Sequence, residues 1–230
     1  MNVKMNIVDF HAHILPGADH GSTSLETSLK QLKIAKKCGV DRIIATSHFY
    51  PHIHSAALFL EKRNAAYEKL RPHLQGLPDV RVGAEVLICN GIESLPRLDE
   101  FFVHKTNTLL LELPNNEFSQ SYRRSVQSLV KSGVDVVLAH VERYPKENIE
   151  TLIDVGAKLQ VNAKALISTF RKKYIIDWLK EGYVVAIGSD IHGESQSAYS
   201  DFRKAVLKNA SLLDNVREFS DHVFIESKML

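Results

Sequence analysis

Val134-Asp135-Val136-Val137-Leu138-Ala139-His140 is apolar at almost every position and ends on a histidine. A strand with one wet face alternates apolar and polar residues. A run that is apolar at consecutive positions is buried on both faces, as in a parallel sheet covered by helices. The segment before it, residues 119–132, reads as a helix that stops at Gly133. Outward from this pair the same alternation repeats. Further strands are expected at 7–10, 42–46, 80–86, 108–113, 158–162 and 184–188. Between the first two, Thr23 and Glu26 read as a capping box, and Leu25, Leu29, Leu32, Ile34 and Ala35 form a stripe that ends near Gly39. Another helix is expected over 55–70, and only a short one between Val86 and Thr108. About seven strand–helix units with right-handed crossovers imply an α/β fold, either a closed or nearly closed barrel or a doubly wound open sheet. With no linker or low-complexity tract, residues 1–230 read as one domain.

Histidines and acids fall where these strands end. His11 and His13 follow the first strand, with His20 in the loop beyond, and His48 follows the second. Glu85 lies near the end of the third, Glu112 ends the fourth, His140 ends the fifth, and Asp190 and His192 follow the seventh. In a parallel barrel all strand ends open on one face, where active sites collect. Imidazole and carboxylate together suit zinc, manganese or iron, and these nine residues are too many for one ion. Two or three divalent cations are expected. Such ions would clamp phosphate oxygens and supply a hydroxide at neutral pH.

A single H-x-H pair carries little weight, because 11 histidines in 230 residues produce roughly one by chance in every two chains. His52 and His54 make a second such pair in a proline-containing loop and read as solvated. His73, His104 and His222 read as surface or packing residues. The set of strand ends carries the inference.

Composition narrows the field further. Hydrophobic residues are 44% and charged residues 24%, as in ordinary globular proteins, so disorder and fibrous repeats are poor readings. A net charge of +2, evenly spread, gives no footprint for nucleic acid. No apolar run reaches the roughly 20 residues of a membrane span. Met1-Asn2-Val3-Lys4-Met5-Asn6 does not read as a secretion signal, and the two cysteines offer no disulfide framework, so a cytoplasmic protein is expected. Neither Cys38 nor Cys89 is followed by five residues and an arginine; Ile44 and Leu95 stand there. A phosphocysteine mechanism is thereby disfavoured, and both read as packing residues.

Asp9-Phe10-His11-Ala12-His13, Thr46-Ser47-His48, Gly83-Ala84-Glu85, Leu111-Glu112, Ala139-His140-Val141-Glu142-Arg143-Tyr144 and Ser189-Asp190-Ile191-His192 resemble the PHP (polymerase and histidinol phosphatase) superfamily. Within it the chain looks most like bacterial manganese-dependent protein-tyrosine phosphatases of capsular and exopolysaccharide operons. The resemblance implies a distorted TIM-like (β/α)7 barrel with up to three metals, manganese expected. His11, His13, Glu85 and Asp190 would hold one metal. Glu85, Glu112 and His140 would hold the second, and His20, His48 and His192 the third. Arg143 would bind phosphate, its planar fork matching the oxygens, while a metal-bridging hydroxide attacks phosphorus. The implied partner is a phosphotyrosine protein, a bacterial tyrosine autokinase.

The subgroup usually has aspartate where His20 stands, and its glycine-rich stretch is shortened to Leu166-Ile167-Ser168-Thr169-Phe170. Alternative activities are a small-molecule phosphatase such as histidinol phosphatase, a phosphodiesterase or nuclease, and a non-catalytic metal-binding module.

Overall fold

Among the described residues seven strands form one parallel sheet whose spatial order is the order of the sequence. They are β1 (Asp9–Ala12), β2 (Arg42–Phe49), β3 (Asp79–Leu87), β4 (Thr108–Glu112), β5 (Asp135–Leu138), β6 (Lys158–Asn162) and β7 (Val184–Gly188). The computed structural model describes residues 7–115, 118–168 and 173–227; the N-terminal stretch and the Thr169-Phe170 part of the shortened segment lie outside these. Helices α1 (Leu25–Lys37), α2 (Ala56–Leu70), α3 (Gln120–Lys131), α4 (Lys146–Ile153), α5 (Ala163–Ile167), α6 (Lys173–Lys180), α7 (Gln196–Lys208) and α8 (Asp214–Glu226) complete it. Where the sheet's ends meet, Asp190 N–H donates to His11 C=O at 2.8 Å and His13 N–H to Ile191 C=O at 3.2 Å. The sheet is therefore a nearly closed, distorted α/β barrel. Among the described residues no helix is long and apolar enough to cross a membrane.

Most expected elements stand within two or three residues of their expected bounds. One cap differs. Helix α1 begins at Leu25, so Ser24 occupies the cap, and its hydroxyl accepts from Thr27 N–H at 3.1 Å. Thr23 lies one residue too early; Glu26 sits in the first turn, where its charge suits the helix dipole. The stretch from Val86 to Thr108 holds two short 3-10 turns, Ile92–Ser94 and Leu98–Phe101.

Two apolar layers follow from the alternation of strand side chains. Ile43, Ala45, Leu109, Leu111, Val136 and Leu138 pack outward against the helices. Their neighbours Ile44, Leu110 and Val137 pack inward with Val8, Phe10 and Ala186. Helix α8 plugs the N-terminal end of the barrel with Val223 and Phe224, and Phe224 lies 4.6 Å beneath the guanidinium of Arg81. Burying each large apolar side chain contributes roughly 1.5–3 kcal/mol.

Strand β1 breaks this alternation. Val8 and Phe10 belong to the inner layer, but Ala12 and Ile14 belong to the outer one. Asp9 pairs with Ile43 and Ala12 with Ala45, so three steps along β1 match two along β2. This is a bulge, with one extra residue that shifts the phase of the strand. It leaves His11 and His13 facing inward above Phe10. The side chain of Asp9 accepts His11 N–H at 3.4 Å and Ser189 N–H at 2.8 Å, pinning the bulge to the end of β7. His140 breaks alternation differently: its φ of 34° turns the residue after inward-facing Ala139.

Candidate metal centre

Glu85 is the hub. Fully buried near the end of β3, its carboxylate lies 2.8 Å from His140 Nε2 and 2.8 Å from His48 Nδ1. It is also 3.1 Å from His11 Nε2 and 3.3 Å from His13 Nε2. Asp190 Oδ1 lies 3.5 Å from His13 Nε2 and 3.7 Å from His11 Nε2. Glu112 reaches His140 at 3.5 Å, and His48 Nε2 lies 3.3 Å from His192 Nε2. The donor atoms fall into four overlapping groups: His11, His13 and Asp190; His11, Glu85 and His140; His48, Glu85 and Glu112; His13, His48 and His192. Eight of the nine expected ligands are in these groups. His20 is exposed, its ring stacked 4.8 Å from those of both His48 and His192. The sharing of His48 between Glu85 and His192 had not been expected.

Four of the imidazoles have their Nδ1 hydrogens assigned by their surroundings. Gln160 Oε1 accepts His140 N–H at 2.7 Å; a backbone N–H only donates, so this atom is the amide oxygen. The same oxygen lies 3.1 Å from His11 Nδ1, which must therefore donate to it. Asp19 Oδ2 accepts His48 N–H at 3.0 Å and lies 2.8 Å from His13 Nδ1. Tyr144 O–H donates to Leu113 C=O at 2.8 Å, leaving its oxygen to accept from His140 Nδ1, 3.3 Å away. His192 Nδ1 donates to Asp190 C=O at 3.1 Å. Each ring thus turns Nε2 towards the cluster, the arrangement that outer partners impose on metal-bound histidines.

The charges agree. For His11, burial disfavours a proton, but Glu85 and then Asp190 outweigh it and hold its pKa up at about 9. Burial opposes the charge on Glu85, yet His11 and its neighbours hold it well below the carboxylate range. The acids therefore demand positive charge at this point. Burial, followed by the His13 charge, pushes His192 down to about 4, so that ring is neutral. Burial, then the Glu85 charge, lifts Glu112 to about 7.

These residues fit divalent cations. Donors each about 2.1 Å from one ion, at angles of roughly 90–110°, lie about 3.0–3.5 Å apart. His11 Nε2 and His13 Nε2 are 3.0 Å apart. Among the described residues Glu85 Oε2 has no hydrogen-bond partner, although three imidazole nitrogens lie within 3.3 Å. Closeness without hydrogen-bond direction is what lone pairs aimed at a shared ion produce.

Strand β6, from which no ligand was expected, supplies the support. Gln160 Nε2 donates to Asn162 Oδ1 at 3.0 Å, and Asn162 Nδ2 to Asp190 Oδ2 at 2.9 Å. Gln160, Asn162 and Asp19 were not singled out from the sequence; the signal for Asp19 was its place between the first strand and His20. Arg143, half-exposed, pairs with Asp190 Oδ2 at the mouth. His54 lines a small cavity with His20, His48 and Tyr50, whereas His73, His104 and His222 are exposed and outside the cluster. Cys38 and Cys89 are free thiols packed against the core.

Known proteins share this arrangement of chain. Tyrosine-protein phosphatase CpsB of Streptococcus agalactiae is 24% identical, over 96% of each chain. Tyrosine-protein phosphatase YwqE of Bacillus subtilis is 24% identical, over 81% of this chain and 77% of its own. A crystal structure of the metal-dependent tyrosine phosphatases YwqE from Bacillus subtilis and CpsB from Streptococcus pneumoniae superposes with a TM-score of 0.76 at 21% identity, covering 97% of this chain and 96% of that one. The likeness establishes the fold. The family model for capsular polysaccharide synthesis, CpsB/CapC, matches residues 7–210, and the chain belongs to that family.

Proposed function

We propose that this protein is a metal-dependent protein-tyrosine phosphatase acting in capsular or exopolysaccharide synthesis, with residues 1–230 working as one cytoplasmic domain. The observation that carries the reading is the convergence of His11, His13 and His140 through Nε2 on Glu85, with Asp190 beside His11 and His13, His192 against His48, and Arg143 at the mouth. Family membership and the tyrosine phosphatase activity of the relatives support it.

Two or three divalent ions, manganese by preference, would be held by His11, His13, His48, Glu85, Glu112, His140, Asp190 and His192, with His20 on the exposed side. When bound, such ions lower the pKa of water and neutralise charge on phosphoryl oxygens. The protein's own share is positioning. Gln160, Asp19 and Tyr144 hold the imidazoles in place, and Asn162 holds Asp190. Arg143 offers a planar pair of N–H donors to the phosphate, exchanging the Asp190 carboxylate for substrate oxygens. The substrate is phosphotyrosine on a protein, a bacterial tyrosine autokinase.

Hydrolysis of a phosphotyrosine peptide and of histidinol phosphate by purified protein, before and after chelation, tests this. The expected result is peptide hydrolysis that chelator abolishes and manganese restores. Activity that survives complete metal removal, or a preference for histidinol phosphate, would overturn it.

A further inference from the structure

Beside the metal cluster, where β4 and β5 end, lies a cavity of about 450 Å³. Leu113, Pro114, Phe118, Tyr122 and Tyr144 line it, and Arg143 lines it as well. Leu113 and Pro114 follow β4, Phe118 and Tyr122 flank the start of α3, and Arg143 and Tyr144 belong to the turn after His140. The rings of Phe118 and Tyr122 meet edge to face, with centroids 6.2 Å apart at 81°.

Two consecutive residues are shared between this cavity and the cluster. Arg143 reaches Asp190, and Tyr144 contacts His140 at a ring separation of 5.8 Å. A ligand whose phosphate rests against Arg143 therefore has beside it a chamber walled by Phe118, Tyr122 and Tyr144, with Asn115 and Asn148 also on its lining. That pairing of a cation with aromatic walls is complementary to an aryl phosphate. Benzene fits in a cavity of roughly 150 Å³, so this one has room for a ring and some of the peptide attached to it. The single methylene of a seryl phosphate is too short to fill it.

We propose that this cavity is the subsite for the aromatic ring of the substrate, and that Phe118 and Tyr122 set the preference for aryl over alkyl phosphates. The proposal rests on the phosphatase reading above. Its ligand class is a phosphomonoester of a phenol, and its two determinants lie outside the metal-binding set.

Phosphonates separate binding from turnover. Calorimetry on the manganese-loaded protein with phenylphosphonate and methylphosphonate should show the phenyl compound binding more tightly. Phe118→Ala and Tyr122→Ala should each weaken phenylphosphonate binding about five- to tenfold, the loss of one aromatic contact, and leave methylphosphonate within about twofold. Tyr122→Leu, which keeps an apolar wall, should lie between wild type and Tyr122→Ala. Metal content and melting temperature, equal to wild type, show that each variant is folded. Equal losses for both phosphonates, or no loss for the phenyl compound, would overturn the subsite. A wild-type protein that hydrolyses phosphotyrosine yet binds the two phosphonates equally would sink the subsite alone. One that binds neither and hydrolyses nothing would remove the phosphatase reading with it.

Discussion

The side-chain oxygen of Gln160 lies 2.7 Å from the backbone nitrogen of His140, and this one contact decides the protonation of a third residue. Because the backbone can only donate, Gln160 presents oxygen, and His11 must place its hydrogen on Nδ1. In the neutral ring this leaves Nε2, the nitrogen beside Glu85, as the one that would offer a lone pair to a metal. Gln160→Leu should lower metal affinity about 10- to 100-fold with little change in secondary structure. Titration with manganese followed by calorimetry measures this; unchanged affinity would show that Gln160 only packs.

Asp19 does the same for His13 and also accepts the His48 N–H. Asp19→Ala should cost more metal affinity than Asp19→Asn, since asparagine keeps one acceptor oxygen. Metal content after dialysis, compared across the two variants, reads the order; equal retention by both would argue against an orienting role.

Gly188 ends β7 where a side chain has no room. A Cβ there would meet His11 Cβ at 2.5 Å and Gln160 Nε2 at 2.7 Å. Gly188→Ala should destabilise the protein by about 1–3 kcal/mol through overpacking, and it should displace the His11–Gln160 pair. A chemical denaturation curve gives the first effect and manganese affinity the second. A variant with wild-type values for both would contradict the close approach.

Arg143 stands at the mouth and pairs with Asp190, an acid of the cluster. Arg143→Ala should reduce kcat/KM by roughly 100-fold or more while bound metal stays constant, as expected for a group that stabilises charge developing in the transition state. Arg143→Lys should recover only part, because an ammonium lacks the planar fork. Steady-state kinetics beside elemental analysis separates loss of phosphate binding from loss of metal.

Much of the fold and of the site is legible in the sequence, and the reasons are local. Strands such as 134–139 announce themselves by consecutive apolar residues, and an ionisable side chain at the end of such a run stands out. Glu112 and His140 stand out that way. Gln160 escaped because Lys158-Leu159-Gln160-Val161-Asn162 alternates polar with apolar, which reads as a strand with a wet face. Its polar side in fact faces the barrel interior, where Gln160 is fully buried. No rule of spacing distinguishes water from a polar interior. The β1 bulge was hidden for a related reason: it exists only in relation to β2, and single-strand periodicity has no partner against which to count. The cap at Ser24 differed because Thr23 and Ser24 are adjacent residues with equivalent hydroxyls, and the backbone chose between them.

The surplus residue in β1 makes that strand two short segments in opposite phase on one backbone. Below the slip, Val8 and Phe10 answer to the oily filling of the barrel; above it, His11 and His13 answer to the acids Glu85 and Asp190. Anyone transplanting this constellation into another barrel must carry the slip along with the side chains. Grafted onto a strand paired without interruption, Asp9-Phe10-His11-Ala12-His13 would keep Phe10 inside and point both imidazoles into the helical layer.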